Sequence, residues 1–152
     1  MPVSAAGKDN DSTGTPVVTF VTPLWGFPGC TEYTLQPASR DGVWWLQGVT
    51  APHDTFVLSD PFIAHPEYGF DLSQSETDQL QVESTTDVLA LVMLALPGST
   101  SDVVTANFRA PLVFNLVKRR AIQIVCSNDR FSLQEPISLA AYPPREDIAP
   151  QA

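Results

Sequence analysis

The sequence predicts an all-β fold, mainly antiparallel, curled into a small barrel or strongly curved sandwich with one short helix near Ser73–Gln81. Three observations carry this expectation. Fourteen prolines and eight glycines cut the 152 residues into short apolar stretches, the grammar of strands joined by tight turns. Only one segment carries a helix start signal. In a chain so rich in Val and Leu, closing the sheet also removes edges that would otherwise pair with other chains.

Taken in order, residues 1–15 are small and polar and read as a disordered leader. Pro16 to Val21 is a first strand, followed by the turn Gly26-Phe27-Pro28-Gly29, and Tyr33 to Gln36 is a second. Val43 to Gly48 is a third, where alternation puts Trp44 and Leu46 on one face and Trp45 and Gln47 on the other. One face cannot bury both indoles, so Trp45 is expected under a covering element or open to a partner, the first being favoured. Thr55 to Ser59 is closed by Asp60-Pro61, because proline cannot donate to a central ladder.

Ser73 with Glu76 three residues later forms a capping box ahead of Ser75 to Gln81. Asp87 to Leu96 is nearly all apolar and is expected to be buried on both faces at the centre of the fold. The last third reads as a meander of Asp102 to Phe108, Leu112 to Val117 and Ala121 to Cys126, with Asn128-Asp129 turning into Arg130 to Leu133. From Pro143 the composition returns to proline and polar residues. A single domain over 16–142 with a flexible tail over 143–152 follows, and a domain of this size buries roughly two-thirds of its unfolded surface.

Charge is uneven. Residues 1–104 hold two basic and thirteen acidic side chains, a net of −11, whereas 105–152 hold six basic and four acidic, a net of +2. An acidic domain repels nucleic acid over a screening length of about 8 Å and favours a basic protein partner. No apolar run reaches the roughly 18 residues that a membrane helix needs. The N-terminus has no signal-peptide pattern, so the expected location is the cytoplasm. There Cys30 and Cys126, far apart in sequence, are expected as reduced, buried thiols rather than a disulfide or redox pair.

Catalytic signatures are missing: no GxSxG elbow, P-loop, HExxH or dinucleotide fingerprint occurs. His53 and His65 stand in turn-like contexts beside prolines, without a third ligand nearby, so no metal or cofactor is expected. The acidic residues Asp41, Asp54, Asp60, Asp71 and Asp129 fit turns, where Asp is favoured for local hydrogen bonding. Lys118-Arg119-Arg120 is the one basic cluster, with Arg109 and Arg130 expected nearby. It reads as a hairpin end in water, or as a patch receiving an acidic or polar segment of a partner.

In order and spacing, these segments resemble the FliW family of flagellar assembly factors. Gly26-Phe27-Pro28-Gly29 is similar to the family's Gly-Leu-Pro-Gly turn, Trp45-Leu46-Gln47 to its Trp-Leu-Gln, and Phe56 to Phe62 to its Phe-x-x-x-Asp-Pro segment. Tyr68, Leu72-Ser73 and Asp87-Val88-Leu89 continue in register. Thr105-Ala106-Asn107-Phe108-Arg109-Ala110-Pro111 resembles the Thr-x-Asn-x-x-Ala-Pro block, with Asn115, Arg119-Arg120 and Gln123 following it, and Phe131 and Pro136-Ile137 close the match. Each piece is weak alone; together they span about residues 17–137. Cys30 stands where the family has an aromatic residue, Ala121 where Gly is common, and Phe131 where Tyr is frequent. The first two are expected to flank a partner surface.

The resemblance implies a non-enzymatic, monomeric protein that binds flagellin as a chaperone-like partner and also binds the translational repressor CsrA, a small RNA-binding dimer. Binding CsrA would relieve repression of flagellin translation, with one partner's occupancy lowering the other's apparent affinity. The residues it points to for partner binding are Trp45, Gln47, Phe62, Asn107, Arg119, Arg120 and Gln123. A different class is a ligand-binding β-barrel with an apolar pocket lined by Trp44, Leu46 and Phe56. A small hydrolase with clustered carboxylates is a third.

Overall fold

The structure, a computed structural model, describes residues 2–3, 16–95, 104–126, 130–142 and 144. In chain order the elements are β1 (Pro2–Val3), β2 (Val17–Phe20), β3 (Glu32–Pro37), β4 (Val43–Gly48), β5 (Thr55–Ser59), helix α1 (Pro61–Ala64), β6 (Phe70–Asp71), helix α2 (Gln74–Leu80), β7 (Val88–Ala95), β8 (Val104–Ala106), β9 (Leu112–Asn115), β10 (Arg120–Gln123) and β11 (Glu135–Ile137).

Seven strands close on themselves in the order β7, β5, β4, β3, β2, β10, β9, with β9 returning to β7 through Val88↔Asn115 to Leu91↔Leu112. Of the ladders described, only β2–β10 is parallel. At Leu94–Ala95 the same edge of β7 passes from β9 to β8, and β8 in turn pairs with β11. The all-β, mainly antiparallel barrel is therefore as expected.

Period-two alternation along β7 gives it two cores at once. Leu89 and Leu91 point into the barrel, with Val18, Phe20, Tyr33, Leu35, Trp44, Leu46, Leu58 and Phe114. Val88, Ala90, Val92 and Leu94 point outward with Val113 and Ile122, under a second layer that includes Tyr68, Phe70, Leu72, Leu80, Phe108 and Phe131. Trp44 and Leu46 are therefore core, with Phe56 packed partly buried against them; the ligand-barrel alternative had placed all three around a pocket.

The helix signal is met in full: Ser73 Oγ accepts from Glu76 N at 3.1 Å while Glu76 Oε1 accepts from Ser73 N at 2.8 Å. Elsewhere the chain departs from expectation for local reasons. Within the supposed leader, Pro2–Val3 pairs with β6 and Val3 is buried; the remainder of 1–15 lies outside the described residues. Asp60-Pro61 does not merely end β5. Asp60 accepts from Phe62 N at 2.9 Å and Pro61 supplies the first helical position, which starts the unexpected α1. Asp71 lies in a strand rather than a turn.

The strand expected over Leu112–Val117 stops at Asn115, whose side chain captures the backbone of the following turn. The next strand ends at Gln123, although Ile124 N and Cys126 N still donate to Pro111 O and Arg109 O. Arg130 to Leu133 is turn, not strand; the strand there is β11, where Pro136 fits an edge. Asn128-Asp129 lies outside the described residues, as does all of 143–152 except Pro144, whose backbone bridges Arg40.

Leu91 is fully buried inside the barrel. Replacing it with Ala removes packing against several strands and should cost roughly 2–5 kcal/mol in urea unfolding. A loss below about 0.5 kcal/mol would show that the barrel interior is not the main core.

Candidate protein-interaction site

The basic cluster and α2 form one unit. A helix leaves its last carbonyls without intrahelical donors, and α2 meets three of them from the β9–β10 hairpin. Arg120 Nε donates to Gln79 O at 2.7 Å, and Asn115 Nδ2 donates to Leu80 O at 2.9 Å and Gln81 O at 3.1 Å. Asn115 Oδ1 accepts from Val117 N at 3.1 Å and Lys118 N at 3.3 Å, so one fully buried side chain caps the helix and shapes the hairpin turn. The Arg120 cation also sits at the negative end of the helix dipole. Lys118 Nζ lies 3.7 Å from Glu83 Oε2. Arg119 is exposed with φ 59°, in the left-handed region that the tight turn demands. The base of the hairpin is thus docked on a helix, while its tip at Val117, Lys118 and Arg119 is exposed, as expected of a hairpin end in water.

Arg109 and Arg130 do not join this cluster. They line a shallow concavity of about 480 Å³ with Phe131, Ser132, Leu133 and Gln134, at the opposite end of the β9–β10 ribbon.

The outer wall of β2–β5 has a different character. Across the ladders, Gln36 faces Trp45, Trp45 faces Val57, Thr34 faces Gln47 and Gln47 faces Thr55. Trp45 is 43% exposed on this wall, so it is not covered by another element, contrary to the favoured expectation. Val17, on the same wall, is exposed too.

The other expected contact residues serve local structure. Phe62 is partly buried in the outer core, its ring 5.7 Å from Tyr68. Asn107 Oδ1 accepts from Arg109 N and Ala110 N, both at 3.1 Å, which holds the turn into β9. Gln123 Oε1 accepts from Trp25 N at 3.2 Å, tying the β2–β3 loop to β10. The structure therefore keeps Trp45 and Gln47 together, places Arg119 and Arg120 on the helix-docked hairpin, and disperses the rest. Cys30 and Ala121 are buried in the barrel and do not flank a surface. Trp25, 54% exposed in the turn before Gly26, was not foreseen; an apolar ring among turn residues was its only signal.

Titratable groups are mostly arranged for packing. All three tyrosines are buried. Burial pushes Tyr33 up to about 12 and raises Tyr68 and Tyr142 as well. Tyr68 Oη donates to Phe108 O at 2.7 Å, and Tyr142 Oη to Asp60 O at 2.9 Å. Burial also raises the Cys126 thiol. His65 lies 3.5 Å from both Glu67 and Glu135 and packs edge-on against Phe108 and Phe131. Among the described residues no group of three or more His, Cys, Asp or Glu side chains is placed to hold a metal. No described helix is long and apolar enough to cross a membrane.

Fold and site together define a closed seven-stranded barrel with a second core packed on its outside and an exposed indole, Trp45, on the outer face of β4. The FliW protein family model matches residues 7–137, and the chain belongs to the FliW family of flagellar assembly factors. It is 37% identical over 127 residues to the flagellar assembly factor FliW of Shouchella clausii, covering 82% of this chain and 85% of that protein. With the Bacillus licheniformis factor it shares 32% identity over 123 residues, covering 79% and 84%. A crystal structure of the flagellar assembly factor FliW superposes with a TM-score of 0.72 at 28% identity, covering 88% of this chain and 94% of that one.

Asn115→Ala leaves two carbonyls and the turn without partners and should cost roughly 2–4 kcal/mol, against about 1–2 for the half-buried Arg120→Ala, by chemical denaturation. Equal losses would show that Asn115 is not the principal clamp. Alkaline stability follows from the tyrosines. The unfolded chain ionises near pH 10, before the folded one, so stability is full below that value. For Tyr33 it falls between about 10 and about 12, by up to about 1.4 kcal/mol per pH unit. Tyrosinate absorbance should rise together with unfolding; ionisation near pH 10 in the folded protein would contradict this burial.

Proposed function

We propose that this chain is a non-enzymatic, cytoplasmic flagellar assembly factor that binds flagellin as a chaperone-like partner and binds the repressor CsrA, releasing flagellin translation. Family membership over residues 7–137 supports the assembly role. The observation that carries the binding reading is Trp45, 43% exposed on a sheet wall within a region of net −11. An indole in the open is suited to become a hot spot when a partner desolvates it. An RNA-binding dimer must present basic surface, so the acidic region attracts it at long range. Flagellin binding rests instead on apolar burial at Trp45 and its neighbours. The two partners form a linkage cycle, in which loading with flagellin lowers the apparent affinity for CsrA.

Association rates measured from low to high salt test this division. The CsrA rate should fall steeply as salt screens the field, while the flagellin rate changes little. Trp45→Ala should weaken flagellin binding by at least about tenfold, near 1.4 kcal/mol. Equal salt slopes would refute the division of labour, and binding of neither partner at micromolar concentration would reject the function itself.

A further inference from the structure

We infer that residues 138–142 with Pro144 form a strap covering one end of the Trp45 wall, and that an apolar segment of the partner bound there displaces it. The inference rests on the reading of that wall as a binding surface and adds how access to it is controlled.

The outer face of the sheet continues past the open part of the wall. Val43, Trp45 and Gln47 share the outer face of β4, and Thr55, Val57 and Ser59 that of β5. Exposure falls in the same spatial direction along both strands, which pair Val43 with Ser59 and Gln47 with Thr55. Trp45, Gln47 and Thr55 are exposed, Val57 is half-buried, and Val43 and Ser59 are buried. The buried end lies under a small separate core, in which Tyr142 joins Ala38 and Val43, with Val57, Ala64 and Ile137 packed against them. Val57 is also the residue facing Trp45 across the β4–β5 ladder. The core that holds Tyr142 therefore reaches the direct neighbour of the open indole.

The strap is held at few points. Ser138, Ala140, Ala141 and Pro144 are exposed, and Tyr142 is its one fully buried side chain among the described residues. The Tyr142 ring fills a notch at Gly42, where an added Cβ would lie 3.2 Å from its Cδ2. Its hydroxyl donates to Asp60 O at 2.9 Å, and its carbonyl accepts from Arg40 Nη1 at 2.9 Å. A backbone bridge joins Arg40 to Pro144. The bonds from Ala140 N and Ala141 N to Ser138 lie within the strap and do not attach it to the barrel. The segment matched by the FliW family model ends at residue 137, so it includes the whole wall and none of the strap.

A segment with one buried side chain and few anchoring bonds opens more readily than the barrel beneath it. When the Tyr142 ring leaves, the outer faces of Val43 and Val57 join the indole in one apolar strip across β4 and β5. Aliphatic or aromatic side chains of a partner reach that strip only by taking the place of the ring. The apparent affinity of the partner is then scaled by the fraction of the protein whose strap is open.

The test locks the strap shut in the full chain. Arg40→Cys is combined with Pro144→Cys, since facing residues of an antiparallel bridge stand at disulfide distance and both native cysteines are buried. Flagellin is titrated into this variant with the new pair oxidised and again with it reduced. The oxidised form should bind at least about tenfold more weakly, and reduction should restore binding. Tyr142→Ala, shown to be folded by circular dichroism, should bind about threefold or more tightly than the unaltered chain. Equal affinity of the oxidised and reduced forms, or no gain in folded Tyr142→Ala, would overturn the inference. Trp45→Ala in the reduced form reports on the wall separately. Unchanged binding there would remove the wall reading and the strap's role with it, whereas weakened binding beside an ineffective lock would remove the strap's role alone.

Discussion

The end of α2 is the constraint on which the outer half of the molecule depends. A seven-residue helix is too short to be stable alone, and its terminal carbonyls need donors. Those donors are Asn115 and Arg120, which sit on paired strands of the barrel, facing each other across the β9–β10 register. The helix is therefore held by the barrel wall itself. Its position buries Leu80 in the second core, to which Val113 and Ile122 of the barrel wall also belong.

From that clamp the rest of the outer layer follows. Tyr68 stands at the centre of the layer, its ring within 6 Å of Phe62, Phe70, Phe108 and Phe131. Its hydroxyl donates to the Phe108 carbonyl, so the aromatic cluster is tied to the backbone that leads into β9. β7 links the layers, because each of its faces belongs to a different core. Loosening the outer layer leaves the inward face of β7 still packed, whereas a defect inside the barrel removes the surface on which the outer layer rests.

How much of this could be read from the sequence depends on how local each cause is. The capping box at Ser73 and Glu76, the alternation in Val43–Gly48 and the apolar run of β7 are encoded within a few residues, and each formed as expected. The role of Asn115 was not legible, since its partners at Leu80 and Gln81 lie about 35 residues away. Arg120 was illegible for the same reason: of three consecutive basic residues, Lys118 and Arg119 are exposed, and only Arg120 meets a helix terminus. Asn107 and Phe62 stand in recognisable motifs, and their local roles in a turn and an aromatic cluster became visible only in the fold. Of the candidate site, the exposure of Trp45 depended on whether another element covers the wall, which no nearby residue specifies.

That bare wall limits the way a partner can bind. Its strands sit inside a closed barrel, with every neighbour already paired, so an incoming chain cannot add a strand to them. Recognition there must come from side chains standing on the wall. The open part of the Trp45 indole offers roughly 2 kcal/mol if it becomes fully buried, equivalent to roughly thirtyfold in affinity. One tryptophan is thus too little for a specific complex. The surrounding Gln36, Gln47, Thr34 and Thr55 are uncharged and can hydrogen-bond across an interface at small desolvation cost. The acidic charges of the region raise encounter rates without being buried. A partner that met this wall would draw affinity from an aromatic-centred patch of uncharged side chains and rate from the field around it, because the Trp45 ring stays open on the wall while its cross-strand neighbour Val57 is partly buried against the outer cores.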